Sequence, residues 1–557
     1  MSFHPHKEDA NAKLITIAHL RFQATCSDIL PIVDLPMPRL SQTRRQALAI
    51  CLALVIMLQA QRSVSLDRIP AHLQSALGAI SANSLRGHLS FIASDLLEGR
   101  DSPSRGLDIA AEYIAAQFRR AGLEPVGGDG YFQTAHWSVA AQDLRSFRLQ
   151  LAFDGRTLNV GAQQVSFRFA SAVDVSSSEV FKLDYADPSA LSKLTAAQIE
   201  NRVVLTEIPD FQREDISRWE ELSGRQQAFL RKLKDLRAAL VISFDRQSQT
   251  GSGAGNGRLI DPENRGPSNS VATLPWIRVH SAEAVKVYDT LQQGSNPGGV
   301  LLSIPAPIEK PVKLRNVAAL LRGSDPVLQD SYILVTAHYD HVGSDPSREV
   351  DPIFNGANDD GSGTASVIEL ASALSQLSPR PKRSLVFMTV FAEEKGLLGS
   401  RYYARHPLFP LEKTVANVNL EVLGRTDGSE GSYKNKAALT GFEYSTLGES
   451  FVKAGQLSGI EVYRDPAFSD AFYARSDNLS FAEKGIVAHS VCSGFLFPDL
   501  HAPQDHWDKI DYTNLAKLNR LVGTALFMIA ENPVSPSWNP AAPKAARYLK
   551  AWQERHN

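Results

Sequence analysis

Cysteine is nearly absent from this chain, with three in 557 residues, and that scarcity excludes a disulfide-stapled scaffold. Cys26 and Cys51 both lie near the amino end, which leaves Cys492 alone in the body of the chain. A single thiol closes no internal disulfide, and a chain of this length buries enough surface to do without one. An excess of one charge is lacking too: 58 Lys and Arg face 60 Asp and Glu, for a formal net charge of -2. Neither nucleic acid nor an anionic membrane surface is therefore expected as a partner. No stretch reaches the roughly 20 apolar residues that span a bilayer as a helix, so no stable membrane partner is expected. The glycine-rich stretch 251–257 lacks the Lys-Ser/Thr pair of a phosphate loop and reads as a flexible loop.

One apolar run of a dozen residues does occur. Arg44 and Arg45 precede an apolar segment from Ala47 to Leu58, followed by Gln59 and Ala60. A basic start, an apolar middle and a small residue at the end describe a secretory signal peptide. Met37 stands just upstream. The expectation is that translation starts there, that 37–60 is the signal peptide, and that 1–36 is a mis-called or disordered leader. The product would be exported, to a periplasm or out of the cell. Leu58 fits the small-residue cleavage pattern poorly, so a buried helix or an uncleaved anchor stays open.

The length predicts two folded units. Helical patterns cover 70–94 and 106–121, the second with Ile109, Tyr113, Ile114 and Phe118 on one stripe and Gly122 as its C-cap. Over 137–312 short β-rich runs such as 147–151 and 202–205 alternate with polar segments. A charged helix over 213–236 then leads into a strand over 238–243, and the region reads as an inserted β-rich α+β domain. Beyond residue 316 the character is α/β. The apolar runs 332–337, 384–391 and 486–491 suit strands buried on both faces of a mostly parallel central sheet. Val367, Ile368, Leu370, Ala371, Leu374 and Leu377 give the intervening helix an apolar face. The expected organisation is 70–136 and 313–535 as the core, 137–312 as the insert and 536–557 as a tail.

Polar clusters fall at or near successive strand ends, where ligands gather in open α/β sheets. They are His338-Tyr339-Asp340-His341, Asn358-Asp359-Asp360-Gly361-Ser362-Gly363, Glu393-Glu394, Asn419-Leu420-Glu421 and His501-Ala502-Pro503-Gln504-Asp505. One such cluster is usually a solvated loop; together they point to a shared centre. Zinc takes imidazole and carboxylate ligands and, in a catalytic site, keeps a position for water. A pair of ions needs a bridging carboxylate, which Asp359 can supply. Asp340 is placed to orient the His338 imidazole. Glu393 and Glu394 are adjacent, so one would bind metal while the other takes a proton from water.

This ordered set resembles that of the co-catalytic dinuclear-zinc exopeptidases, a family including bacterial leucyl aminopeptidases, aminopeptidase Y and glutamate carboxypeptidase. The resemblance covers about 85–135 and 313–535. It implies two zinc ions, one held by His338, Asp359 and Glu421, the other by Asp359, Glu394 and His501, with Glu393 as general base. It further implies peptide substrates and an aminopeptidase activity; a carboxypeptidase, a glutaminyl cyclase or a metal-poor binding module are the alternatives. Asn201 to Leu205, the helix–strand over 231–243 and Leu274-Pro275-Trp276-Ile277 make the insert resemble a protease-associated domain. Two departures stand out: Glu421 replaces the Asp many members carry, and Leu500 stands where several have a tyrosine that stabilises the oxyanion. His341 is either a supporting group or loop lining, and His489 is expected to be a satisfied core residue. Ser476-Asp477-Asn478 either shapes the pocket or caps a helix. Trp276 and Trp507 are expected to pack.

Overall fold

Ile333, Leu334 and Val335 have no exposed surface because their strand is flanked on both edges and covered by helices. Fully burying each such aliphatic side chain stabilises the fold by about 1.5–3 kcal/mol. In the computed structural model, the described residues are 68–556 apart from 168–171, 210–218, 247–256, 265–273, 346–347 and 429–430. The expected leader and signal peptide, and nearly all of the glycine-rich loop, lie outside them.

Strands Ser384–Val390, Tyr332–His338, Thr414–Leu420 and Val487–Cys492 lie side by side in that order and run parallel. Each is buried along its length or nearly so, as expected of strands read from continuous apolar runs. Antiparallel strands extend the sheet: Pro307–Leu321 and Phe132–Gln142 on one side, Lys436–Leu439 on the other. Helix Ser362–Leu374 makes the crossover between the first two parallel strands in the chain. It packs beneath Ala82–Ile92, Arg105–Arg120 and Tyr512–Glu531. A second group, Leu398–Arg405 and Asn478–Ala482, packs on strands of the same sheet. The expected α/β fold with a mostly parallel centre is present.

The stretch 70–94 divides into two helices, Ala71–Gly78 and Ala82–Ile92, the second capped by the Ser81 side chain. The expected boundary at 136/137 falls inside one strand. Phe132–Gln142 pairs with Pro307–Leu321 from Phe132↔Val317 through to Gln142↔Pro307, so the chain leaves and re-enters the core along one ribbon. Between them lies a separate eight-stranded sheet with its own apolar clusters and the helices Trp219–Asp235 and Ala282–Thr290. At its edge His280 bridges strands, with Nε2 2.8 Å from Ser166 Oγ and Nδ1 2.9 Å from Asp245 Oδ2. One strand of the inserted stretch, Arg258–Ile260, instead joins the edge of the core sheet, and the adjoining Asp261 pairs with Arg405. The expected C-terminal tail is largely helical, with Ala546–His556 anchored by buried Tyr548 stacked on Trp538. Trp507, expected to pack, is 37% exposed.

Candidate metal centre

The polar clusters meet at the carboxyl ends of the parallel strands. His338 is the last residue of its strand, Glu421 directly follows Thr414–Leu420, and Glu393 and Glu394 follow Ser384–Val390 after a short turn. Asp359 arrives on the segment leading into the crossover helix, and His501 on the loop after Val487–Cys492.

Asp359 lies between two imidazoles. Its Oδ1 is 3.2 Å from His338 Nε2 and its Oδ2 is 3.0 Å from His501 Nε2. His338 Nε2 is also 3.3 Å from Glu421 Oε1 and 4.0 Å from Glu393 Oε2. On the other side His501 Nε2 is 3.2 Å from Glu394 Oε2, and buried His341 places Nδ1 2.8 Å from Glu394 Oε1. Two donor groups result, His338–Asp359–Glu421 and His341–Asp359–Glu394, sharing Asp359. All five residues expected as metal ligands therefore converge. His341, which sequence left between two roles, stands within reach of the second group beside His501.

The donors fit zinc. Buried imidazole and carboxylate are its usual ligands, and several of their atoms have no other partner: His341 Nδ1 and Nε2 and Glu394 Oε1 are buried without a hydrogen bond. The electrostatics agree. Although burial works against its charge, the carboxylates of Glu421 and Glu393 raise the His338 imidazole well above its ordinary value. Burial likewise opposes charge on His501, yet Glu394 and Asp359 push it up to about 11. Burial alone would raise Asp359, but hydrogen bonding from His338 and His501 holds it well below the usual carboxylate range. The acidic surroundings thus favour the protonated form of His338 and His501; a divalent cation would take the place of those protons.

Support for the donors comes from below. Asp505 accepts the backbone N–H of Asn358 at 3.0 and 2.9 Å and that of Asp359 at 3.1 Å. Arg100, fully buried, donates to the carbonyls of Tyr339 at 2.8 Å, Ile92 at 2.6 Å, Asn355 at 2.7 Å and Gly356 at 2.9 Å. It thereby ties the loop of His338 and His341 and the segment before Asp359 to the end of helix Ala82–Ile92. Burial lowers its guanidinium to about 10. Asp340 differs from expectation. His338 Nδ1 is 3.1 Å from the main-chain carbonyl of Asp340 and 3.6 Å from its carboxylate. That carboxylate accepts the N–H of Glu393 at 3.0 Å, so it positions the Glu393 turn as well as facing the imidazole. Glu421 is steadied by Ser476, whose Oγ donates to Oε2 at 2.5 Å. Ser476 thus belongs to the site, and Asp477 makes no capping bond to helix Asn478–Ala482. His489 is a satisfied core residue, with Nε2 2.6 Å from Ser445 Oγ and Nδ1 2.7 Å from the Thr440 carbonyl.

Sequence reasoning gave Arg100 and Asp505 no role. Asp505 was visible as the end of the last cluster; nothing local marks Arg100, which joins the main-chain carbonyl of Ile92, eight residues back, to those of Tyr339, Asn355 and Gly356 far away in sequence. A cavity of about 430 Å³ opens on the centre, lined by Asp359, Glu393, Glu394, Glu421 and His501, with Phe472, Leu479 and Phe495 among its walls. Leu500 lines it as well, and no tyrosine does among the described residues.

Fold and donor set together define an α/β scaffold similar to that of zinc exopeptidases. Residues 316–526 match peptidase family M28, a span that holds every donor named above, so the resemblance carried by the motifs holds over that span. Over 210 residues the chain is 30% identical to aminopeptidase YwaD of Bacillus subtilis, covering 37% of this chain and 42% of that one. It is 27% identical to leupeptin-inactivating enzyme 1 of Streptomyces exfoliatus over 220 residues, 38% and 45% of the two chains. The chain thus spans less than half the length of these curated relatives. The likeness in fold extends further. An aminopeptidase from Aneurinibacillus sp. strain AM-1 superposes with a TM-score of 0.57 at 18% identity, over 84% of this chain and 98% of that one. The zinc aminopeptidase BSAP of Bacillus subtilis does so with a TM-score of 0.52 at 18% identity, over 84% and 97%.

Proposed function

We propose that this protein is a zinc-dependent aminopeptidase that releases amino-terminal residues from peptides. The observation that carries the reading is Asp359 between His338 and His501, with the Glu393 carboxylate 4.0 Å from His338 on the same cavity. His338, Asp359 and Glu421 would hold one zinc ion, and Asp359, Glu394 and His501 the other. When bound, such ions polarise a carbonyl and lower the pKa of water.

Glu393 is the carboxylate left over. It takes the proton from water and returns it to the leaving amine. Burial, reinforced by the charges of Glu394 and Glu421, pushes its carboxyl well above the ordinary range and readies it to hold that proton. Asp505, Arg100 and Ser476 keep the donors in place. The cavity is of the size that encloses a small ligand. Similarity to aminopeptidases supports the amino end as the point of attack. The stretch 137–312 is read as a protease-associated-like domain, and the protein as exported with translation starting at Met37.

Zinc-loaded protein is expected to cleave leucyl-p-nitroanilide and unblocked peptides, to stop on chelation and to recover with zinc. Elemental analysis is expected to find two zinc ions per chain. Cleavage of amino-blocked peptides from the carboxyl end, or cyclisation of glutaminyl peptides without release of an amino acid, would overturn the assignment.

A further inference from the structure

The cavity wall carries two guanidiniums. Arg401 and Arg475 both line it, alongside the carboxylates of Asp359, Glu393, Glu394 and Glu421. Two zinc ions would offset those four negative charges, leaving the arginines as surplus charge within the cavity. Arg475 is half-buried there, so the sign of its charge matters more than it would on an open surface.

The two arginines are not engaged alike. Arg475 has its guanidinium carbon 5.3 Å from the centre of the Phe472 ring. Burial lowers its pKa while the charge of Glu393 works the other way, which places it near the reacting end of the cavity. Arg401 projects from helix Leu398–Arg405, one turn beyond Leu397 on the same wall. Among the described residues its side chain has no hydrogen-bond or ion-pair partner, and it is exposed. Nearby arginines are committed: Arg405 pairs with Asp261, and Arg425 with Asp427 and Asp499. An unpaired guanidinium on a ligand cavity presents a planar fork of donors matched to a carboxylate. A second cation beside the reactive centre disfavours a substrate with a basic side chain at that place.

We propose that this cavity selects substrates carrying a carboxylate close to the scissile bond, bound by Arg401 in the field of Arg475. The proposal rests on the peptidase reading above and adds the class of substrate. The carboxylate has two sources, the acidic side chain of an amino-terminal Glu or Asp, or the free carboxyl end of a dipeptide. Phe472, Leu479 and Phe495 enclose the apolar part of either.

The test uses the full-length zinc-loaded protein and matched pairs differing only in that charge. Glutamyl- against glutaminyl-p-nitroanilide reads the side chain, and Leu-Gly against Leu-Gly-amide reads the free carboxyl end. One pair is expected to favour the carboxylate member by about tenfold or more in kcat/KM. Arg401→Gln is expected to bring that ratio close to one, and Arg401→Glu to turn preference toward lysyl-p-nitroanilide. Since a carboxylate can also bind zinc directly, a ratio that survives both Arg401 substitutions overturns the proposal. So does hydrolysis of both pairs without preference. Calorimetric titration with glutamate against glutamine reads the same selectivity without turnover. Tighter glutamate binding that Arg401→Gln abolishes, in a protein that cleaves none of these substrates, keeps the carboxylate site and refutes the peptidase reading instead.

Discussion

His341 Nδ1 lies 2.8 Å from Glu394 Oε1, yet the two atoms are not aligned as a hydrogen bond. Two lone-pair-bearing atoms side by side, each without another partner, are disposed as ligands to one ion rather than as donor and acceptor. His501 approaches the other oxygen of the same carboxylate, Oε2, at 3.2 Å. The Glu394 carboxylate therefore has two imidazoles within reach, and a second ion held there would find both. His341→Ala and His501→Ala are each expected to keep two zinc ions per chain with one bound about tenfold or more weakly. The double variant is expected to hold a single zinc. Chelator competition and elemental analysis read both, and a double variant that still holds two ions would discount both imidazoles.

Glu393 separates binding from turnover. Its Oε2 is 4.0 Å from His338 Nε2, the longest contact of that imidazole, and it is not needed to complete either donor group. Glu393→Gln preserves size and removes the acceptor of the proton. The zinc content is expected to stay at the wild-type value while kcat falls by about 10²–10⁴. A variant with near-normal turnover would remove Glu393 from the chemistry.

How far the chain could be read depended on how local each signal was. Strands such as 384–390 announce themselves by continuous apolar runs, and His338, Asp359, Glu394, Glu421 and His501 stand in short polar clusters at the ends of such runs. Their convergence follows from the sheet. The supporting groups are another matter. Arg100 works through carbonyls contributed by a neighbouring helix end and two distant segments, a pattern that no spacing encodes. Arg258–Ile260 was invisible as a core strand because it is three residues long and reaches the edge of the sheet only through its pairing with Phe132–Gln142. Ser476 read equally well as a cap, and only the place of Glu421 beside it decides the matter.

Asp505 positions the shared donor Asp359 through the backbone. It is 2% exposed and accepts the N–H groups of Asn358 and Asp359, fixing the turn that presents the shared carboxylate. Removing it leaves two buried donors unpaired and frees that turn. Asp505→Ala is expected to weaken zinc binding by about 10–100-fold, with a lower thermal midpoint in the metal-free protein. Asp505→Asn retains one acceptor and is expected to recover part of both. Equal loss in the two variants would argue that the charge, and not the pair of hydrogen bonds, is what matters.

His489 makes stability depend on pH through a buried group that is not one of the metal donors. Burial lowers its pKa from 6.5 to about 4, although the hydrogen bond to Thr440 works the other way. The unfolded chain therefore takes up this proton first as the pH falls. The contribution is fully present above about 6.5 and is lost progressively toward 4, amounting to about 3 kcal/mol across that window. His489→Gln can still meet Ser445 and Thr440 but cannot titrate. The variant is expected to be less stable than the wild type at pH 7.5, with the gap closing as the pH falls to 4. Urea unfolding of both proteins in metal-free buffer at several pH values measures the gap directly. Comparing the two also cancels the titration of the site carboxylates, which they share. A gap that stays constant from pH 7.5 to 4 would mean that His489 keeps an ordinary pKa inside the fold.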